Sequence, residues 1–274
     1  MNFLSFLDAL SQADSVSSIS RRPTLQQLRR AAAALSPIAL SVAATRPAAA
    51  QRTGNALDAL LLALRLERLQ QEFYTRAAAS TNLASLNADL QVLKAHQTAH
   101  VTKLENILRD SGGTLPAQPN YDFRGGANNP GNAIFAADVF TNPATFLAVA
   151  QTLEDFGVRA YKAALPVLAN DEALLQLVLR MHSVEARHAA HVRRLRGQKA
   201  WVSGLDTGGP VPGKTDRFYE GEDRVKQFVT ATTEQDITKL TGYDTADKLP
   251  PITESFDEPL TIPAVETLLA RFTY

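Results

Sequence analysis

The chain has 274 residues with 28 Lys+Arg against 28 Asp+Glu, and a net charge of zero argues against a nucleic-acid binder built on a basic surface. Its 45% hydrophobic content suits a globular domain with appendages and excludes wholesale disorder. There is no cysteine, so disulfides, thiolate metal sites and cysteine nucleophiles are excluded, and no apolar run reaches the ~18 residues of a membrane-spanning helix.

Residues 1–52 read as an N-terminal arm or an export signal. Phe3, Leu4, Phe6, Leu7 and Leu10 fall at helical spacing. Arginine pairs follow at Arg21-Arg22 and Arg29-Arg30, then an apolar run from Ala31 to Ala44 broken by Pro37, then Ala48-Ala49-Ala50. A basic region, an apolar stretch and an Ala-x-Ala end are the parts of an export signal, and paired arginines suggest the route for folded proteins. The expected location is then periplasmic or extracellular. The alternative is a retained arm that docks on a partner in the cytoplasm.

Residues 53–197 read as helices almost throughout. Four segments repeat apolar positions at alternating steps of three and four, the pattern of a bundle seam. The first runs from about Asn55 to Ala79, with Leu57, Leu60, Leu64, Glu67, Gln71 and Tyr74 on its seam. The second runs from about Asn82 to Asp110 and is ended by Gly112, Gly113 and Pro116. The third starts at the cap Asn142 followed by Pro143, carries Gly157 on its seam and holds Pro166, expected to kink or shorten its last turn. The fourth is capped by Asn170 or Asp171. Short links join the first and second segments and the third and fourth, so each pair forms an antiparallel hairpin. The long stretch from Ser111 to Thr141 is enough chain to span the length of a helix. Hairpin, long crossover, hairpin predicts an all-α, ferritin-like four-helix bundle.

Each seam is interrupted at mid-helix by polar residues: Glu67; Gln97 and His100; Glu154; Glu185 and His188. Unpaired buried carboxylates cost several kcal/mol, so something must compensate them. A buried hydrogen-bond network does so, and so does a metal pair. Carboxylate oxygens with imidazole nitrogens suit iron or manganese. Glu185-x-x-His188 sets both groups on one face of a helix. His96, one turn before His100, could help the site but lies off the seam, and Glu72 reads as a surface charge. Tyr74 and Tyr161 each follow a seam glutamate by one heptad. They read as core residues with a satisfied hydroxyl, or as groups that orient the carboxylates or relay electrons.

Several segments carry a resemblance. Leu66-Glu67 with Tyr74, Gln97-x-x-His100, Leu153-Glu154-Asp155 with Tyr161, and Glu185-Ala186-Arg187-His188 resemble the ferritin-like superfamily. The wording around them is most similar to the branch that includes plant desiccation-related proteins and their bacterial relatives. The ending from Ser255 to Leu260 and the short helix from Val265 to Phe272 resemble that branch too. The resemblance implies a di-metal site. Glu67 and Glu154 would each bind one metal, Glu185 would bridge, and His100 and His188 would each bind one. The chain departs from the family at Gln97, where a full site has a second bridging Glu. Three carboxylates then face the +4 charge of two divalent ions, so the site is expected to hold its second metal weakly, or to hold one ion or none. The resemblance implies iron oxidation or peroxide handling under stress or drying. The alternative is a structural or assembly protein that keeps a degraded site.

Residues 198–274 read as an extended tail around the bundle or a neighbour, ending in a short helix opened by Thr261 and Pro263. The ends differ in charge. Residues 1–50 hold five Arg and two acids, whereas residues 201–274 hold seven bases and 13 acids. That asymmetry points to a homo-oligomer or a protein partner engaged through residues 1–50 and 198–274.

Overall fold

The computed structural model describes residues 54–228, 233–239, 252–255 and 257–274. The expectations for residues 1–52, including the helical face of Phe3, Phe6 and Leu10 and the arginine pairs, lie outside the described residues. Four long helices carry the fold: α1 Gly54–Ala78, α2 Asn87–Asp110, α3 Pro143–Leu168 and α4 Glu172–Leu195. A 3-10 turn, Thr81–Leu86, fills the first part of the second predicted helix and lets the chain reverse direction.

Local chemistry explains the ends. The α2 C-terminus closes with Gly113 N–H on Leu108 O at 2.8 Å, and Gly112 turns the chain at φ +74°. Asn142 accepts a hydrogen bond from Ala144 N, with Pro143 at the first helical position. Of the two residues proposed to cap α4, Asp171 does so, accepting from Leu174 N at 3.0 Å. Helix α3 runs through Pro166 and stops two residues later. The proline falls in the last turn, where a missing N–H removes a single bond.

Contacts between side chains fix the directions. Glu67 meets Tyr161 and Tyr74 meets Glu154, so α1 and α3 are antiparallel. Asp89 meets His191 and Gln97 meets Glu185, so α2 and α4 are antiparallel. Within the hairpins, Arg68 meets Glu105 and Glu154 meets His188. Helices α2 and α3 therefore run the same way, and the connection between them must travel the length of the bundle. This is the expected all-α bundle with one long crossover.

The crossover is a packed layer. Tyr121, Phe123, Ile134, Phe135 and Val139 are buried, and Phe123 lies 5.3 Å from Phe73 of α1, ring centre to ring centre. Asn120 and Tyr274 exchange backbone hydrogen bonds, and Asp122 N donates to Phe272 O, so the chain's end is pinned to the crossover.

Helix α3 is buried all round from Val149 to Tyr161, which a bundle helix cannot achieve with three partners. The tail supplies the missing cover. Phe218 packs edge-on against Phe156, and the short helix α5, Ile262–Leu269, buries Val265 and Leu269. Thr261 caps α5 as expected, accepting from Ala264 N. The tail also holds a two-stranded antiparallel ribbon, β1 Lys226–Phe228 with β2 Glu234–Asp236, that the helical periodicity gave no hint of.

Two buried arginines fasten the tail. Arg159 of α3 donates to the carbonyls of Phe218, Glu220 and Glu258 and pairs with Glu222 at 2.7 Å. Arg193 of α4 holds Asp155 through Nε at 2.8 Å and a second bond at 2.5 Å, and reaches Asp206 of the tail at 3.1 Å. Tyr219 O–H completes that cluster on Asp155 at 2.6 Å.

Candidate metal centre

All six polar seam residues come together at mid-bundle. Glu67, Gln97, Glu154 and Glu185 have no exposed surface and His188 is buried, while His100 keeps a small opening. Two groups of carboxylate and imidazole atoms lie within 4.8 Å of one another: Glu67, His100 and Glu185, and Glu154, Glu185 and His188. Glu185 belongs to both. Its Oε1 lies 3.3 Å from His100 Nδ1 and 3.6 Å from His188 Nδ1. Gln97 Nε2 sits 3.4 Å from both Glu185 oxygens.

The site has a surrounding layer that the seam pattern did not fully reveal. Tyr74 donates its hydroxyl to Glu154 and Tyr161 donates its hydroxyl to Glu67. Each tyrosine thus serves the carboxylate of the opposite helix, because α1 and α3 are antiparallel. Gln70, not Gln71, completes the α1 face: it is fully buried, while Gln71 is half-buried. Gln70 Nε2 donates to Glu185 Oε2 at 3.1 Å and to Leu153 O at 3.2 Å. Its signal in the sequence is the i, i+3 spacing from Glu67, which puts both on one face. Glu72 pairs with Arg76 on the surface, as expected. His96, off the seam and exposed, still reaches inward, with Nδ1 2.9 Å from His188 Nε2 and the rings stacked.

Gly157 makes room for this layer. A Cβ there would sit 3.0 Å from Glu185 Oε2 and 3.2 Å from Gln70 Nε2. Gly157→Ala gains about 1 kcal/mol of helix propensity and meets an overpacking penalty of about 1–3 kcal/mol. A net loss of stability is expected in urea unfolding. A stabilised variant would show that the Gln70–Glu185 contact yields freely.

Burial and neighbouring charge set the protonation. Burial, with the charge of Glu185 beside it, pushes Glu67 up to about 7 and Glu154 up to about 8. Burial also works against Glu185, but hydrogen bonds and charge from His100 and His188 outweigh it and hold Glu185 well below the usual range. Burial disfavours the two imidazolium ions, yet the carboxylates around them push His100 and His188 up to about 10. Burial and the nearby His188 and His100 hold His96 below its ordinary value. Burial and the adjacent glutamates raise the Tyr74 and Tyr161 hydroxyls well above theirs, so both remain donors.

The arrangement fits a cation. Oxygen and nitrogen ligands about 2.0–2.2 Å from a common ion must lie roughly 3–4 Å apart. His100 Nδ1 is 3.2 Å from Glu67 Oε2, and His188 Nδ1 is 3.5 Å from Glu154 Oε2. Glu154 Oε2, His188 Nδ1, Gln97 Oε1 and Gln70 Oε1 are buried without a hydrogen-bond partner, a cost that folded proteins rarely leave uncompensated.

Residues 55–198 match the ferritin-like domain family. The chain belongs to that family. The matched segment covers all but the first residue of the four-helix bundle and every residue of the candidate site. No curated protein matches the chain. Among the described residues, no helix of this ferritin-like protein is long and apolar enough to cross a membrane.

Proposed function

We propose that this ferritin-like protein binds iron or manganese at mid-bundle. Glu67 and His100 would hold one ion, Glu154 and His188 a second, with Glu185 shared between them and Gln97 offering a neutral amide oxygen. The observation that carries the reading is the set of buried ligand atoms without a hydrogen bond, Glu154 Oε2 and His188 Nδ1 above all, gathered within one carboxylate and imidazole cluster. A bound iron or manganese ion would supply Lewis acidity and access to one-electron redox chemistry. The chain's own groups do the rest. Tyr74 and Tyr161 fix the orientation of the carboxylates by donating to them. Gln70 holds Glu185 between the two halves. Helix α3 and the tail exclude water from one side of the site. Iron oxidation or peroxide handling under stress or drying, as in the desiccation-related branch that the motifs resemble, is the activity we infer.

One observation favours a second reading, a structural protein with a degraded site. Two amides, Gln70 and Gln97, both donate to Glu185, where a full site would use these lone pairs and a second bridging carboxylate for metal. Elemental analysis of protein purified without added metal, followed by calorimetric titration with Mn2+ and anaerobic Fe2+, separates the two. Bound metal at stoichiometric levels supports the first reading. Protein that is metal-free and takes up neither ion leaves the structural one.

The protonation states give this binding a sign. Ligands must shed protons to bind. With Glu67 at about 7, Glu154 at about 8 and both histidines at about 10, the ion displaces protons throughout the neutral range. Affinity is expected to rise from pH 6 to pH 8. Titrations in two buffers of different ionisation enthalpy should show net proton release, and a pH-independent affinity would count against these ligands.

We also infer export through residues 1–50, with the protein acting in the periplasm or outside the cell, and self-association or partner binding through the arm and the tail. Mass spectrometry of protein from its native source should find a new N-terminus near Gln51. An intact Met1 there would support the docking arm.

A further inference from the structure

The two halves of the site are related by an approximate twofold repeat. Glu67 corresponds to Glu154, Tyr74 to Tyr161, Gln97 to Glu185 and His100 to His188. Their immediate surroundings are not equivalent. In the first half, His100 Nδ1 and Glu67 Oε2 are hydrogen-bonded to each other at 3.2 Å. In the second half, the corresponding atoms, His188 Nδ1 and Glu154 Oε2, form a buried ion pair 3.5 Å apart, and neither makes a hydrogen bond. His188 is also held from behind by His96, whose Nδ1 is 2.9 Å from Nε2, with the rings 12° from parallel. The position matching His96 in the second hairpin, four residues before its ligand histidine, is Val184, which has no such hydrogen bond to offer. One half is thus closed by a hydrogen bond, and the other holds its ligand atoms at the looser distance of an ion pair.

We propose that the Glu154–Glu185–His188 half is the first to take a metal ion, and that His96 is the positioning residue that makes it so. This rests on the metal-binding reading above. A cation entering the second half replaces only a 3.5 Å ion pair between two ligand atoms that make no hydrogen bond, whereas one entering the first half must break the Glu67–His100 hydrogen bond before it is bound. His96 accepts the Nε2 proton of His188, fixes the ring plane and leaves Nδ1 as the ligating atom, the role that outer hydrogen bonds play for metal-bound histidines.

The test is calorimetric titration of the metal-free full chain with Mn2+, resolved into first and second binding steps. Glu154→Gln should weaken the first step by more than the roughly 10–100-fold that losing an outer hydrogen-bond partner costs. Glu67→Gln should weaken the first step less than Glu154→Gln does and weaken the second step more. His96→Phe keeps the stacked ring but removes the acceptor, and should weaken the first step about 10–100-fold. His96→Asn puts Oδ1 in the place of Nδ1 and should restore most of it, which a purely packing role would not. In the unmodified chain, a crystal grown at one equivalent of Mn2+ should show its anomalous peak beside His188, a result that needs no variant to fold. If Glu67→Gln weakens the first step as much as Glu154→Gln, or the peak lies beside His100, the order is overturned while metal binding stands. If the unmodified chain binds no Mn2+, Fe2+ or Co2+, both fall together.

Discussion

Gln97→Glu is expected to raise the metal content of this protein towards about two ions per chain and, without metal, to destabilise it. The position sits 3.4 Å from both oxygens of Glu185. A carboxylate there gives four negative charges to set against two divalent ions. With metal in excess, ligand bound only to the folded state adds stability, about 2.7 kcal/mol at a concentration 100-fold above Kd. Without metal, the same change removes the amide that donates to Glu185 and buries a fourth carboxylate among three. Glu67 and Glu154 are already pushed up to about 7 and 8 by burial and by Glu185, so the new group would drive at least one of the four to stay protonated. Thermal unfolding with and without Mn2+, beside elemental analysis, reads both arms. Unchanged metal content at saturating Mn2+, in a chain whose parent is also metal-free, would sink the metal reading.

Arg193→Met, outside the site, should be strongly destabilising. The guanidinium binds Asp155 at two atoms, lies against Tyr219, and reaches Asp206 in the tail. Both Arg193 and Asp155 are almost wholly inside the protein. Removing the cation leaves a buried carboxylate without its partner, which costs about 3–5 kcal/mol. The pH dependence identifies the cause. Burial already raises Asp155 above its ordinary value, even with Arg193 beside it. A raised carboxylate costs stability as pH rises from its unfolded value towards its folded one, because the folded state then binds more protons. In the variant that window widens upwards. The deficit relative to the parent, measured by urea unfolding, should therefore be larger at pH 7 than at pH 4. A deficit that does not change with pH would assign the loss to packing.

Residues on the seam and residues around it differ in how far the sequence reveals them. The four helices, the crossover and the inward set of Glu67, Gln97, His100, Glu154, Glu185 and His188 follow from periodicity, because a helix buries whatever recurs at its 3.6-residue repeat. That same periodicity placed Gln71 on the α1 seam where the structure places Gln70. From Glu67 a step of three residues turns about 300° and a step of four about 400°, so Gln70 and Gln71 fall on either side of the same face and spacing alone does not choose between them. His96 shows the complementary limit. Its exposure is that of a surface residue, and only the approach of α4 brings His188 within 2.9 Å of it.

The sequence by itself determined the fold class, the hairpin–crossover–hairpin order and the six polar positions. Each of these is a property of one helix or one connection, and local spacing encodes it. Tertiary structure alone decided the pairings: Tyr74 with Glu154 and Tyr161 with Glu67, Gln70 with Glu185, His96 with His188, and the arginine anchors that bind the tail to α3 and α4. These join residues far apart in the chain. Which pairs meet depends on the direction and rotation of the packed helices, and single-helix periodicity carries no information on either.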